Sequence, residues 1–245
     1  MLIKDTAICI RCVDYSETSQ IVTFFARQSG KISAIAKGSK RAKSSFEGAI
    51  EIFSFGDIMF HAGQDDKLST LTEFQQKSGL SGLSRNYLGY NSSLFACELV
   101  TNLVDEYDPH PQLFDDFVQF LKDVQTVASQ NETISLLIYF QLSLLREIGL
   151  QPVLSECANC KNKYNQKWFD VYFSNSANGI ICRDCDMSFP DKVKLSEEAA
   201  YCLANLKNIP KANERTLNQV ERIIINLLAS HMQKMPKMAK YILGK

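Results

Sequence analysis

Four cysteines constrain this chain more than any other residues. They stand as Cys157-Ala158-Asn159-Cys160 and Cys182-Arg183-Asp184-Cys185, with 21 residues between the pairs. A tight turn brings two thiolates three positions apart onto one side. Two such turns at the end of a hairpin complete a tetrahedron of sulfur ligands about 2.3 Å from one ion. Asn159, Lys161, Asp184 and Asp186 are the polar residues that such turns accept. Four sulfur donors predict zinc. A site filled by four protein ligands has no open position for chemistry, so the ion is expected to be structural. It would offset the small core of a module spanning residues 157–190.

Other uses of paired cysteines fit less well. A redox pair explains one CxxC but not the second, and a disulfide framework needs an oxidising compartment. Nucleobase deaminases pair P-C-x-x-C with H-x-E. The three histidines here stand as His61-Ala62-Gly63, His110-Pro111-Gln112 and His231-Met232-Gln233. Cys9-Ile10-Arg11-Cys12 repeats the spacing, but on a strand positions three apart face opposite ways. Cys9, Cys12, Cys97 and Cys202 therefore read as small buried apolar residues.

The rest of the chain is expected to be an α+β multidomain protein. Residues 6–13, 20–27, 31–36, 46–60 and 68–74 carry β-branched and aromatic side chains with period-two stretches. Gly48 and Gly56 are candidate bulges in the fourth run. Five strands in about 75 residues predict a small barrel or sandwich. The period then becomes helical. Leu88, Phe95, Leu99 and Leu103 form one stripe, and Leu113, Phe117, Phe120, Leu121 and Val124 a second. Ile134, Leu137, Ile138, Leu142, Leu145 and Ile148 form a third, with Gly149 placed as a C-terminal cap. Short loops predict antiparallel packing of the three. The expected domains are 1–80 (barrel), 81–156 (helical bundle), 157–190 (metal module) and 191–245 (helices completing the bundle).

The 27 basic and 27 acidic side chains cancel, but unevenly. The formal charge is +4 over residues 1–50, −10 over 51–156 and +6 over 157–245. Such asymmetry points to a polyanion met at the ends. Lys37, Lys40, Arg41 and Lys43 concentrate the N-terminal charge on one connection between strands. Gly38 lets backbone approach a phosphate, and Ser39, Ser44 and Ser45 can donate to one. Small barrels bind single strands with such a cationic groove and stacking aromatics. Phe24, Phe25, Phe46, Phe53, Phe55 and Phe60 are the available rings. Arg11 and Arg27 are further candidate phosphate contacts on adjoining strands.

In order and spacing the sequence resembles the RecO family of bacterial recombination mediators. The resemblance rests on Tyr15-Ser16-Glu17-Thr18-Ser19-Gln20-Ile21-Val22-Thr23-Phe24-Phe25, Gly30-Lys31-Ile32, Ala36-Lys37-Gly38, the basic loop and Phe46. It continues through Gly149-Leu150 with Pro152, the two Cys pairs, Gly179 and a C-terminal helix. Ser16, Ser19 and Ser45 depart from residues common in the family. The resemblance implies an N-terminal OB-fold, a helical bundle and an inserted zinc module. It implies a non-enzymatic mediator of DNA repair that binds single- and double-stranded DNA and anneals complementary strands. With RecR it would assist RecA loading on strands coated by single-stranded DNA-binding protein, whose acidic tail is an expected ligand; RecF is a further candidate partner. Lys122, Arg146, Lys207, Lys211, Arg215 and Arg222 are cations that a tail pocket could draw on.

Two other classes compete. A zinc-ribbon regulator would read bases with Asn218, Gln219, Arg222 and Asn226 on a helix over 216–231. An enzyme would need a phosphate loop, a metal-binding His pair or a nucleophile elbow, and none is legible. No apolar run approaches the ~18–20 residues of a membrane span. The first residues, MLIKDTAICIRC, do not read as a signal peptide, so a cytoplasmic protein is expected.

Overall fold

The computed structural model describes residues 1–41, 44–46, 48–63, 68–77, 79–80 and 82–243, with Arg85 as backbone only. Lys43, one of the expected phosphate contacts, lies outside the described residues. Among those residues no helix is long and apolar enough to cross a membrane. The chain divides into two compact units, Met1–Thr126 and Val127–Lys245. The helical stretch 81–156 is thereby shared between them.

The first unit is built on five strands: β1 (Leu2–Asp14), β2 (Gln20–Ala26), β3 (Gly30–Ala36), β4 (Phe55–His61) and β5 (Ser69–Gln76). They close a barrel in the order β1-β2-β3-β5-β4, OB-like, with β3 and β5 parallel and β4 returning antiparallel to β1. Ala7, Phe24, Ile32, Ile58, Phe60, Leu71 and Phe74 fill it. The strand expected over 46–60 begins only at Phe55. The preceding segment instead drops Phe46 and Ile50 into the barrel core. Phe53 adopts a left-handed φ of 68°, and the chain there exchanges hydrogen bonds with Cys9.

The bulges also fall elsewhere than expected. The ladders are irregular between Cys9 and Arg11 and between Met59 and Phe60, not at Gly48 or Gly56. Gly56 serves close approach: a Cβ there would lie 2.1 Å from the Gln75 carbonyl oxygen. The extra residue at Ile10 has a larger consequence. It turns Arg11 outward and brings Cys12 back to the face of Cys9, so both thiols line the barrel core. The opposite-face expectation for these cysteines is thus overturned, because a bulge resets strand alternation. A hydrogen bond from Cys9 stabilises the Cys12 thiolate and brings that thiol down to about 7.

Two helices belong to the same unit, α1 (Tyr87–Leu103) and α2 (Pro111–Val124). Phe25 packs its ring against Phe114 and Phe117 of α2, with centroids 5.8 and 6.2 Å apart. Lys31 donates to the Thr101 carbonyl at 2.8 Å. Glu106 accepts from both the backbone amide and the hydroxyl of Ser33.

The second unit contains α3 (Gln130–Glu147), β6 (Val171–Ser174), β7 (Gly179–Cys182), β8 (Val193–Lys194), α4 (Glu197–Ala204), α5 (Glu214–Met232) and α6 (Ala239–Ile242). The strands form a small sheet in the order β7-β6-β8. Gly149 ends α3 at φ 77°, as the sequence pattern predicts. Leu217, Val220, Ile224 and Leu227 of α5 are buried, so its apolar stripe is core.

Candidate metal centre and nucleic-acid interface

The four predicted ligands come together. The Sγ atoms of Cys157, Cys160, Cys182 and Cys185 all lie within 4.8 Å of one another. Cys160 and Cys182 sulfurs are 3.7 Å apart, close to the ~3.8 Å edge of a tetrahedron whose centre is about 2.3 Å from each sulfur. The first pair sits on a tight turn. Lys161 donates its amide to the Cys157 carbonyl at 3.0 Å and takes the left-handed conformation with φ 62°. The second pair brackets the end of β7: Cys182 is its last residue, and Cys185 follows on a 3₁₀ turn. Gly179 holds the two turns together. A Cβ on it would lie 2.4 Å from the Val153 carbonyl oxygen, so only glycine permits the bridge between residues 153 and 179.

The surroundings favour a thiolate at Cys157, while burial pushes the Cys182 thiol up to about 12. Asn159 Nδ2 donates to Cys185 Sγ at 3.3 Å. Burial pushes the Cys157 thiol up, but amide donors of Cys182, Cys160 and Asn159 more than offset it, leaving it at about 7. Three of the four sulfurs belong to buried residues and Cys160 is exposed. The set is thus spaced, oriented and hydrogen-bonded to hold a metal ion.

The basic loop lies at one end of the barrel and is shaped by its neighbour, the β1–β2 turn. Gly38 takes φ 73° and donates its amide to Ser19 Oγ at 3.2 Å. Lys40 donates its amide to the Thr18 carbonyl at 3.1 Å, and its ammonium pairs with Asp14 at 2.7 Å. Lys37 and Arg41 are exposed. Arg11 is exposed on β1, opposite Thr23 of β2.

The loop hydroxyls are not available to phosphate in this arrangement. Ser39 is fully buried and donates to Gln20 Oε1 at 3.0 Å. Ser44 donates to the Ser39 carbonyl and Ser45 to that of Thr72. They lock the loop instead of lining a groove. Arg27 lies at the far end of β2, ~20 Å away by strand rise. Its guanidinium grips Asp115 of α2 with two bonds of 2.8 and 2.7 Å and holds that carboxyl below its usual range.

The aromatic nominated by position is also different from those the sequence suggested. Phe24, Phe25, Phe46, Phe53 and Phe60 are buried, and Phe55 is half-buried with the Lys77 ammonium 6.0 Å from its ring centroid. Tyr15, on the turn bonded to the basic loop, is 63 % exposed. Its signal in the sequence was its place in a polar turn, where a ring has no core to enter.

An OB-like barrel with a cationic loop and an exposed ring at one end, in a chain whose four converging cysteines could hold a metal ion, is an arrangement suited to nucleic acid. The comparisons narrow this. The model of the recombination protein O N-terminal domain matches residues 1–79, and that of its C-terminal domain residues 85–240. The chain belongs to this family of DNA repair proteins. It is 30 % identical to DNA repair protein RecO of Rhodopirellula baltica over 212 residues, covering 86 % of this chain and 77 % of the relative. Against DNA repair protein RecO of Bacillus subtilis the identity is 26 % over 232 residues, covering 91 and 87 %.

Proposed function

We propose that this protein is a non-catalytic mediator of DNA repair and recombination in the cytoplasm. It binds single- and double-stranded DNA through the end of its barrel and anneals complementary strands. With RecR it helps RecA onto strands coated by single-stranded DNA-binding protein, whose acidic tail it grips, and RecF is a further candidate partner. The observation that carries this reading is the joining of the loop bearing Lys37, Lys40 and Arg41 to the turn bearing Tyr15. Cations neutralise backbone repulsion, and an exposed ring can stack on a base without selecting its sequence. Lys43 and Arg11 extend the cationic set. Arg27 contributes only if DNA displaces Asp115.

Zinc held by Cys157, Cys160, Cys182 and Cys185 fits this reading as a fold-stabilising ion. The rival reading of α5 as a base-reading helix is disfavoured by Gln219. That side chain accepts from the Ser196 hydroxyl at 2.7 Å and donates to the Lys194 carbonyl at 3.2 Å.

The test is strand annealing on complementary strands precoated with single-stranded DNA-binding protein. Annealing without nucleotide, insensitive to strand sequence, supports the reading. Retention of one preferred duplex against excess unrelated DNA would favour the regulator.

A further inference from the structure

The metal module carries a second feature beside the sulfur cluster, against which Trp168 also packs. A groove of about 320 Å³ is lined by Tyr164, Trp168, Phe169, Tyr201, Glu197 and Glu198, with Val171 and Leu195 beneath. The Tyr164 and Trp168 rings meet edge to face with centroids 5.6 Å apart. Phe169 is 87 % exposed and Tyr201 also faces solvent. Glu197 and Glu198, in the first turn of α4, are exposed at the edge. Neither has a cationic partner among the described residues. Of the nearby cations, Lys194 pairs with Asp170 and Lys192 with Asp186, while Lys163 and Lys167, next to Tyr164 and Trp168 in sequence, are exposed.

Aromatic side chains and exposed carboxylates lining one groove select a particular chemistry. Ring faces attract a cation through their quadrupole, most strongly for an indole, and a guanidinium also stacks flat on them. The carboxylates add charge-assisted acceptors for its N–H groups. They repel phosphate, so stacking of nucleic acid in this groove is disfavoured, and they equally repel an acidic tail. An exposed phenylalanine beside a tryptophan is apolar surface left to be covered by a partner.

We infer that this groove docks an arginine or lysine side chain presented by a basic segment of a partner protein. The site is separate from the proposed DNA-binding loop, and its test does not depend on DNA binding.

Trp168 is the single tryptophan of the chain and packs against the cysteine cluster, so its emission in the intact protein reports groove occupancy when metal content is held constant. The probe is a capped Gly/Ser peptide with two central arginines, compared with the same peptide carrying citrulline, which keeps the shape and removes the charge. The expected result is a saturable change in emission with the arginine peptide and at least tenfold weaker binding of the citrulline form. Glu197→Gln combined with Glu198→Gln should bring the arginine peptide down to the citrulline level. Both positions are exposed, so unchanged thermal melting and metal content establish that this variant is folded. Tyr201→Ala should weaken binding and Tyr201→Phe restore it, since the ring is the element used.

Equal binding of both peptides would overturn the inference, making the groove an apolar surface. So would the absence of a saturable response at millimolar peptide. An emission change that follows protein concentration or added single-stranded oligonucleotide in place of peptide would assign the groove to a second copy or to DNA, and would overturn it too.

Discussion

Gln141 of α3 donates its Nε2 to Glu221 Oε1 of α5 across 2.7 Å, and both side chains are shut away from solvent. Gln141 Oε1 and Glu221 Oε2 have no hydrogen-bond partner among the described residues. Two acceptors without a donor are costly in a core. A proton on the carboxyl turns one of them into a donor, and burial accordingly pushes the Glu221 carboxyl up to about 8.

This pair makes stability depend on pH. A carboxyl whose folded pKa is raised costs nothing below its unfolded value, near 4.5. Between there and about 8 the folded chain holds the proton that the unfolded chain releases, so stability falls by about 1.4 kcal/mol per pH unit. Above about 8 the loss levels off. Glu221→Gln should be as stable as the parent at low pH and progressively more stable than it through neutrality. Denaturant melts across pH check this; parallel curves for the two proteins would refute it.

The cationic loop predicts a salt dependence. Four phosphate contacts on a single strand give a slope of roughly −3 in log affinity against log salt. Lys40→Glu with Arg41→Glu should make that slope shallower by roughly half and weaken binding ~tenfold or more at moderate salt. Fluorescence anisotropy with a labelled oligonucleotide reads both. Unchanged affinity would show that DNA lies elsewhere.

Tyr15→Ala should weaken single-strand binding by ~1–3 kcal/mol, the worth of one stacked base. It should leave the salt slope unchanged, because no charge is removed. A change in slope without a change in low-salt affinity would contradict stacking.

For the sulfur site, the full-length protein should contain one tightly held metal ion, released with Cys157→Ser or Cys182→Ser. Structural zinc sites contribute on the order of 10 kcal/mol to folding. Chelation should therefore lower the melting temperature and expose the module to protease. Metal analysis by mass spectrometry and limited proteolysis check this. A metal-free protein that melts unchanged would end the structural role.

Gly30 takes φ 71° and a Cβ on it would lie 2.2 Å from the Asp108 carbonyl oxygen. Gly30→Ala should lose ~2–4 kcal/mol, the sum of backbone strain and a forced local shift. Chemical denaturation measures it.

Much of the site was legible in advance because it is local. Two CxxC turns carry their geometry in their spacing, so the convergence of Cys157, Cys160, Cys182 and Cys185 is legible in the sequence. The strand-rich start, the shift to helical period and the cap at Gly149 are likewise short-range patterns. Other positions depended on partners far along the chain. Ser39 looks like a phosphate donor until Gln20 is seen to hold it, and Arg27 like a free cation until Asp115 claims it.

The sequence by itself determined which four cysteines converge, the position of the basic loop and the class of the main elements, since propensity and spacing act over a few residues. Tertiary structure alone decided which groups remained free to act. The bulge at Ile10 turned Arg11 outward and Cys12 inward, the turn after Tyr15 was bonded through Thr18 and Ser19 to the loop of Lys40, and the α4 carboxylates came to line one groove with Tyr164 and Trp168. Each outcome is set by register and by contacts between distant segments, where a one-residue shift reverses every side chain and no local pattern records it.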